Sequence, residues 1–130
     1  MSSTGIPKVF IVEDNFMYSY VLESMLKESE LMKVTSFAKG EECLELINNN
    51  PDVVILDYNL EDGMSGLDTF NAIRAQKPHV PVIILSGQTD VQLAADILKA
   101  GAFDYIEKKS ADKTMEKLRA SVLKALSKKR

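Results

Sequence analysis

Five short apolar runs, spaced along the whole chain, most constrain what it can fold into. They are KVFIVE (8–13), MKVTSF (32–37), DVVIL (52–56), PVIILS (81–86) and FDYIEK (103–108). Several are continuous and rich in Val and Ile, the pattern of strands buried on both faces of a parallel sheet. The segments between them repeat at helical spacing, which predicts helices over about 15–29, 39–49, 66–77, 90–100 and 111–128. In the last of these, Met115, Leu118, Val122 and Leu126 form an apolar stripe at intervals of three and four, so that side should face the core. Gly101 follows Ala100 where a helix should stop, and Pro78 and Pro81 bracket the approach to the fourth strand. Strand and helix thus alternate five times. A (βα)5 alternation implies an α/β fold, a doubly wound parallel sheet with helices on both faces and right-handed crossovers. At 130 residues the chain fits one domain, 1–130, with a core of about 8–127. No internal repeat, low-complexity tract or interdomain linker interrupts it.

Composition narrows the setting. Apolar residues make up 45% of the chain, enough for a core, and charged residues 27%, an ordinary soluble balance. No apolar run approaches the roughly 20 residues that span a bilayer. The opening MSSTGIP lacks the basic flank and apolar centre of a secretion signal. The single cysteine, Cys43, permits no intrachain disulfide, so a reducing, cytoplasmic setting is expected. Cys43 stands at helical spacing from Ile47 and reads as a small core residue. The net charge is −3, yet residues 108–130 hold nine Lys and Arg against Asp112 and Glu116. That basic tail reads first as a solvated helix face whose lysines suit a helix C-terminus. Docking of an acidic protein comes second and nucleic acid a distant third. The lone His79, between two prolines, reads as an exposed loop residue.

In open parallel sheets, ligands bind beyond the carboxyl ends of the strands. The residues found there are Glu13 and Asp14, Asp57, Ser86 with Gly87, and Lys108. If the first and third strands are neighbours, three carboxylates share one pocket, and Ser86 and Lys108 fall on the other side of Asp57. Two carboxylates about 5 Å apart repel by roughly 3 kcal/mol at an effective dielectric of 20. Three of them should take up a proton or bind a cation. Hard oxygen ligands with room for water suit Mg²⁺, with Mn²⁺ or Ca²⁺ as substitutes. Such a cation opposite Lys108 makes a clamp for a phosphoryl group. Asp57 could then act as a nucleophile, since carboxylates form acyl phosphates. Ser86 would donate to a phosphoryl oxygen, and Gly87 would leave it space. Taken singly, each residue has a plainer reading. Asp14 and Asn15 suit a helix N-cap, Ser86 a turn and Lys108 a surface charge. Asp57 is the hardest to explain away, because it ends an apolar strand and opens a loop, where an isolated carboxylate is costly.

This constellation resembles the receiver domain of two-component response regulators, in its single-domain, chemotaxis-regulator form. The resemblance runs from about Lys8 to the last helix. It is carried by the acidic pair Glu13-Asp14, by Asp57 after VVIL, by Ser86-Gly87 after VIIL and by DYIEK ending at Lys108. It implies a flavodoxin-like sheet of five parallel strands in the order 2-1-3-4-5. It also implies roles. Asp57 would accept a phosphoryl group from a sensor histidine kinase or phosphotransfer protein. Asp14 and Asp57, with the main-chain carbonyl of Asn59, would hold Mg²⁺, and Glu13 would act at the metal directly or through water. Lys108 would contact the phosphoryl oxygens. Ser86 would swing toward the phosphate, and Tyr105 would change rotamer with it. The fourth helix, fifth strand and fifth helix would then present a changed face to a downstream protein. Such a domain is a signalling switch with weak self-catalysed phosphoryl transfer, not an enzyme, and is a monomer or weak homodimer without direct membrane contact.

Some residues depart from the family pattern. Glu13 stands where Asp is more usual. The run DYNLEDGMSG after the third strand puts Glu61 where Pro is usual and is one residue longer. Lys109 replaces the proline that commonly follows the lysine in a cis peptide; a cis bond before a non-proline costs roughly 2.5–4 kcal/mol, so a trans bond and an altered loop are expected. Three other readings stand beside the receiver. A receiver-like adaptor would bind proteins without phosphorylation. A haloacid-dehalogenase-like phosphatase would want a second Asp where Asn59 stands. A flavodoxin-like carrier would need Ser, Thr or Gly donors where the chain has EDNFM. The chain stops at LSKKR just past the last helix, which fits a stand-alone regulator or part of a longer one.

Overall fold

All five apolar runs become strands: β1 (Lys8–Val12), β2 (Lys33–Phe37), β3 (Val53–Asp57), β4 (Val82–Ser86) and β5 (Asp104–Glu107). The helices between and after them are α1 (Phe16–Ser29), α2 (Gly40–Glu45), α3 (Gly66–Gln76), α4 (Val91–Lys99) and α5 (Ala111–Ser127). The computed structural model describes residues 5–29 and 32–128; Met1 to Thr4, and Lys129 and Arg130 of the basic tail, lie outside the described residues. The strands pair in parallel in the order β2-β1-β3-β4-β5, as expected.

The continuous apolar runs are explained by burial from two sides. Successive side chains of a strand point to opposite faces. Phe10, Val12, Val54, Leu56, Val82 and Ile84 therefore join one core with Cys43 and Ile47 and with Phe70, Ile73 and Ile97 of α3 and α4. Val9, Ile11, Val53, Ile55, Ile83 and Leu85 join the other, against Leu22 and Leu26 of α1 and Leu118 and Val122 of α5. The three inner strands are buried throughout except Lys8. The outer strand β2 is half open, which matches its more polar sequence. On α5 the fully buried side is Leu118, Val122 and Ala125, with Met115 and Leu126 at its margin.

One predicted helix is shorter than expected. Instead of spanning 39–49, the chain makes the six-residue α2 and then a 3₁₀ turn, Ile47–Asn49. Asn50 lies in the left-handed region, φ 59°. Asn tolerates that conformation, and a residue before proline, here Pro51, is disfavoured in a helix. Strand ends also move by one residue. β1 stops at Val12 and β5 at Glu107, but the ladder carries on: Glu13 N donates to Phe37 O at 3.0 Å and Lys108 N to Ser86 O at 2.8 Å. No cis peptide bond occurs among the described residues, so Lys108 and Lys109 are joined in trans as expected.

Candidate functional site

Strand register brings the chemistry together. Val12 is aligned with Leu56, so Glu13 and Asp57 emerge level from adjacent strands. Ser86 pairs with Glu107, which places Lys108 just beyond it on the same edge. Carboxylate oxygens of Glu13, Asp14 and Asp57 all lie within 4.8 Å of one another, an arrangement that can hold a metal ion. Glu13 and Asp57 are each only 3% exposed, whereas Asp14 is half-buried at the rim.

Lys108 reaches back across the tip of β3. Its Nζ lies 3.0 Å from Glu13 Oε1 and 3.4 Å from Asp57 Oδ1. One ammonium offsets only one of three carboxylates. Burial, reinforced by the Asp57 charge, pushes the Glu13 carboxyl up to about 7, against the opposing pull of the Asn15 N–H and Lys108. Burial alone would depress the Lys108 ammonium, but Asp57 and Glu13 outweigh it, and its pKa is raised. The pocket therefore holds an excess of negative charge that a proton or a cation must relieve.

Local turns fix each group. Asp57 Oδ1 accepts the Asn59 N–H at 3.0 Å, and Glu13 Oε2 accepts the Asn15 N–H at 3.0 Å. The cap of α1 falls to Asn15, whose Oδ1 accepts the Tyr18 N–H at 2.9 Å. Asp14 is thereby left out of the cap. Its Oδ2 accepts the Glu61 N–H at 2.8 Å, so the lengthened β3–α3 loop folds over toward β1. That loop is also tied to α2, where the Glu41 carboxylate accepts the Met64 N–H at 3.1 and 3.2 Å. Tyr58 is half-buried and flanks the site.

Among the described residues no hydrogen bond joins Ser86 to Asp57. Ser86 is fully buried, with its hydroxyl 3.5 Å from Asn59 Oδ1 and accepting the Gln88 N–H at 3.2 Å. The Asn59 side chain also accepts the Gly87 N–H at 3.2 Å. Tyr105 is half-buried, and its hydroxyl donates to Gln88 O at 3.3 Å. Ser86 and Tyr105 thus hold one β4–α4 loop from two ends. Tyr105 also lines a cleft of about 510 Å³ between α4, β5 and α5.

Two residues at the site were missed in the sequence. The Tyr18 ring lies under Lys108, its centroid 4.4 Å from Nζ. Thr114, 1% exposed, accepts the Lys109 N–H at 2.8 Å. Its signal was available, because Thr114 sits four residues before Leu118 on the apolar side of α5 and is a polar residue in a core stripe.

The family model for the response regulator receiver domain matches residues 9–120. The chain belongs to the response regulator receiver family. A DNA-binding transcriptional regulator, NtrC of Escherichia coli (strain K12), is 37% identical to this receiver over 101 residues, which cover 77% of this chain and 21% of that protein. The cell cycle transcriptional regulator CtrA of Caulobacter vibrioides is 35% identical over 102 residues, 78% of this chain and 43% of its own. The receiver therefore spans less than half the length of either relative. Among solved structures, the receiver domain of Francisella response regulator 1452 superposes with a TM-score of 0.86 at 27% identity, covering 95% of this chain and 99% of that one. The signal receiver domain of a Luxo repressor protein from Vibrio parahaemolyticus gives 0.85 at 27% identity, covering 95% and 92%.

Proposed function

We infer that this receiver is a phosphoacceptor switch. Asp57 takes a phosphoryl group from a phosphohistidine on a sensor histidine kinase or phosphotransfer protein, in a Mg²⁺-dependent reaction. The observation that carries this reading is the meeting of Glu13, Asp14, Asp57 and Lys108 at one strand edge, with three carboxylates facing a single ammonium. In the transfer, an Asp57 oxygen forms the new O–P bond as the N–P bond of the phosphoimidazole breaks. The imidazole leaves with that electron pair and takes a proton from solvent. Asp57 Oδ1 is already engaged by the Asn59 N–H and Lys108, which leaves Oδ2 to attack.

The donor set is all oxygen, which suits Mg²⁺. Glu13, Asp14 and Asp57 would hold it with the Asn59 carbonyl, and when bound it supplies positive charge against the phosphoryl oxygens. Lys108 supplies the second positive group. Phosphorylation replaces one negative charge with roughly two and adds acceptor oxygens. Ser86 would turn its hydroxyl from the Gln88 N–H toward the phosphoryl group. Because Tyr105 holds the Gln88 carbonyl, the change would pass to the α4–β5–α5 face and its protein target. The shift extends only as far as the contacts differ between the two states. The domain acts as a switch whose own chemistry is limited to gaining and losing this group. Asn59 in place of a second Asp, and the family match, weigh against a dehalogenase-like phosphatase.

The test is incubation with acetyl phosphate and Mg²⁺, read by intact mass. Wild type should gain one phosphoryl group and Asp57→Asn none. An unmodified wild type, beside a receiver that labels under the same conditions, would replace this reading with that of an unphosphorylated adaptor.

A further inference from the structure

We propose that Tyr18 and Thr114 form a positioning cradle for Lys108, taking over the task that proline performs after this lysine in the usual family pattern. The proposal rests on the phosphoacceptor reading and adds the means by which Lys108 is aimed. Lysine is a long, flexible side chain, and its ammonium has to be held in one place to act on a phosphoryl group. Lys109 differs from proline in one useful respect, for it has an N–H. That N–H donates to Thr114 Oγ1 at 2.8 Å. The same hydroxyl donates to Glu107 O at 3.3 Å. The residues on both sides of Lys108 are thus tied to one buried oxygen.

A hydroxyl has one proton and two lone pairs. With its proton on Glu107 and one lone pair on Lys109, the Thr114 hydroxyl ties down the main chain on either side of Lys108. The Tyr18 ring centroid lies 4.4 Å from Lys108 Nζ. The ammonium is then bounded by Glu13 at 3.0 Å, Asp57 at 3.4 Å and the aromatic face. A cation over an aromatic face is attracted by the ring's negative surface. Lys108 is therefore held twice, at its main chain by Thr114 and at its ammonium by the Tyr18 ring. Neither residue touches the reacting atoms.

The experiment uses the full chain with acetyl phosphate and Mg²⁺. Tyr18→Leu should slow initial phosphorylation roughly five- to tenfold, with Mg²⁺ affinity by calorimetry unchanged. Tyr18→Phe keeps the ring and should recover most of the rate. In a Lys108→Ala background, Tyr18→Leu should have no further effect. Wild-type rates in Tyr18→Leu, or an equal loss without Lys108, would overturn the proposal. So would a fall in Mg²⁺ affinity that accounts for the slower rate. Proton NMR supplies an arm that needs no phosphorylation. The Lys108 ε-methylene protons should be shifted upfield by the ring in wild type and should lose that shift in Tyr18→Leu. An unshifted wild-type resonance refutes the cradle. A wild type that takes no phosphoryl group refutes the phosphoacceptor reading, while the NMR arm still decides the cradle. Solvent protection of the buried Cys43 thiol reports that each variant has folded.

Discussion

Glu13 shows how one residue links the pocket's charge to stability. Its carboxyl sits at about 7, against an ordinary 4.5. Between those values the folded chain holds more proton than the unfolded one, so stability falls as pH rises through that window. Above about 7 the penalty is complete. Glu13→Gln removes the group that titrates. The stability of the variant relative to wild type should therefore improve between pH 5 and pH 8 in metal-free buffer, as read by urea denaturation. A difference that stays flat with pH would contradict the assigned cause. Cys43 makes a second residue-level case. Burial pushes its thiol up to about 12, so a thiol reagent at pH 8 should label the unfolded chain and spare the native one.

Elements set the geometry that residues exploit. Helix α3 begins at Gly66 directly against the segment that follows β3. A Cβ at Gly66 would lie 2.4 Å from Tyr58 O and 2.7 Å from Asp57 O. Those are backbone atoms, so they cannot rotate aside. Gly66→Ala should destabilise the chain by about 1–3 kcal/mol and should slow labelling of Asp57, a pairing of effects that denaturation and intact mass would resolve together. The cap of the same helix is Ser65, whose hydroxyl accepts the Asp68 N–H at 3.0 Å. Ser65→Ala should cost about 1 kcal/mol without slowing labelling once both proteins are fully folded. Helix α1 carries Phe16, Met17, Tyr20 and Val21 exposed on its surface. Sequence periodicity gave no warning of them, because exposure of a helix side depends on what packs beside it.

For the whole molecule, the charge imbalance of the site predicts that a cation stabilises the fold. A ligand that binds only the folded state adds about 2.7 kcal/mol when present at 100 times its dissociation constant. Mg²⁺ should raise the melting temperature of wild type, and the rise should shrink in Asp14→Asn, which removes a carboxylate while leaving an oxygen for the Glu61 N–H. Melting curves indifferent to Mg²⁺ at every concentration would contradict the metal reading. No helix among the described residues is long and apolar enough to cross a membrane.

The sequence by itself determined the alternation of strand and helix, because runs buried on two faces must be apolar throughout and helices over a sheet need only one apolar side. It also picked out Glu13, Asp14, Asp57, Ser86 and Lys108, since polar groups at the ends of buried strands stand out against what precedes them. Strand order came from likeness to a family. Register, and with it the meeting of acids 44 residues apart such as Glu13 and Asp57, belonged to the tertiary structure. So did the division of labour between Asn15, which caps α1, and Asp14, which does not. Only packing brought Tyr18 to Lys108 and Thr114 to the Lys109 N–H. Contacts between groups on separate elements depend on distances that no local pattern encodes.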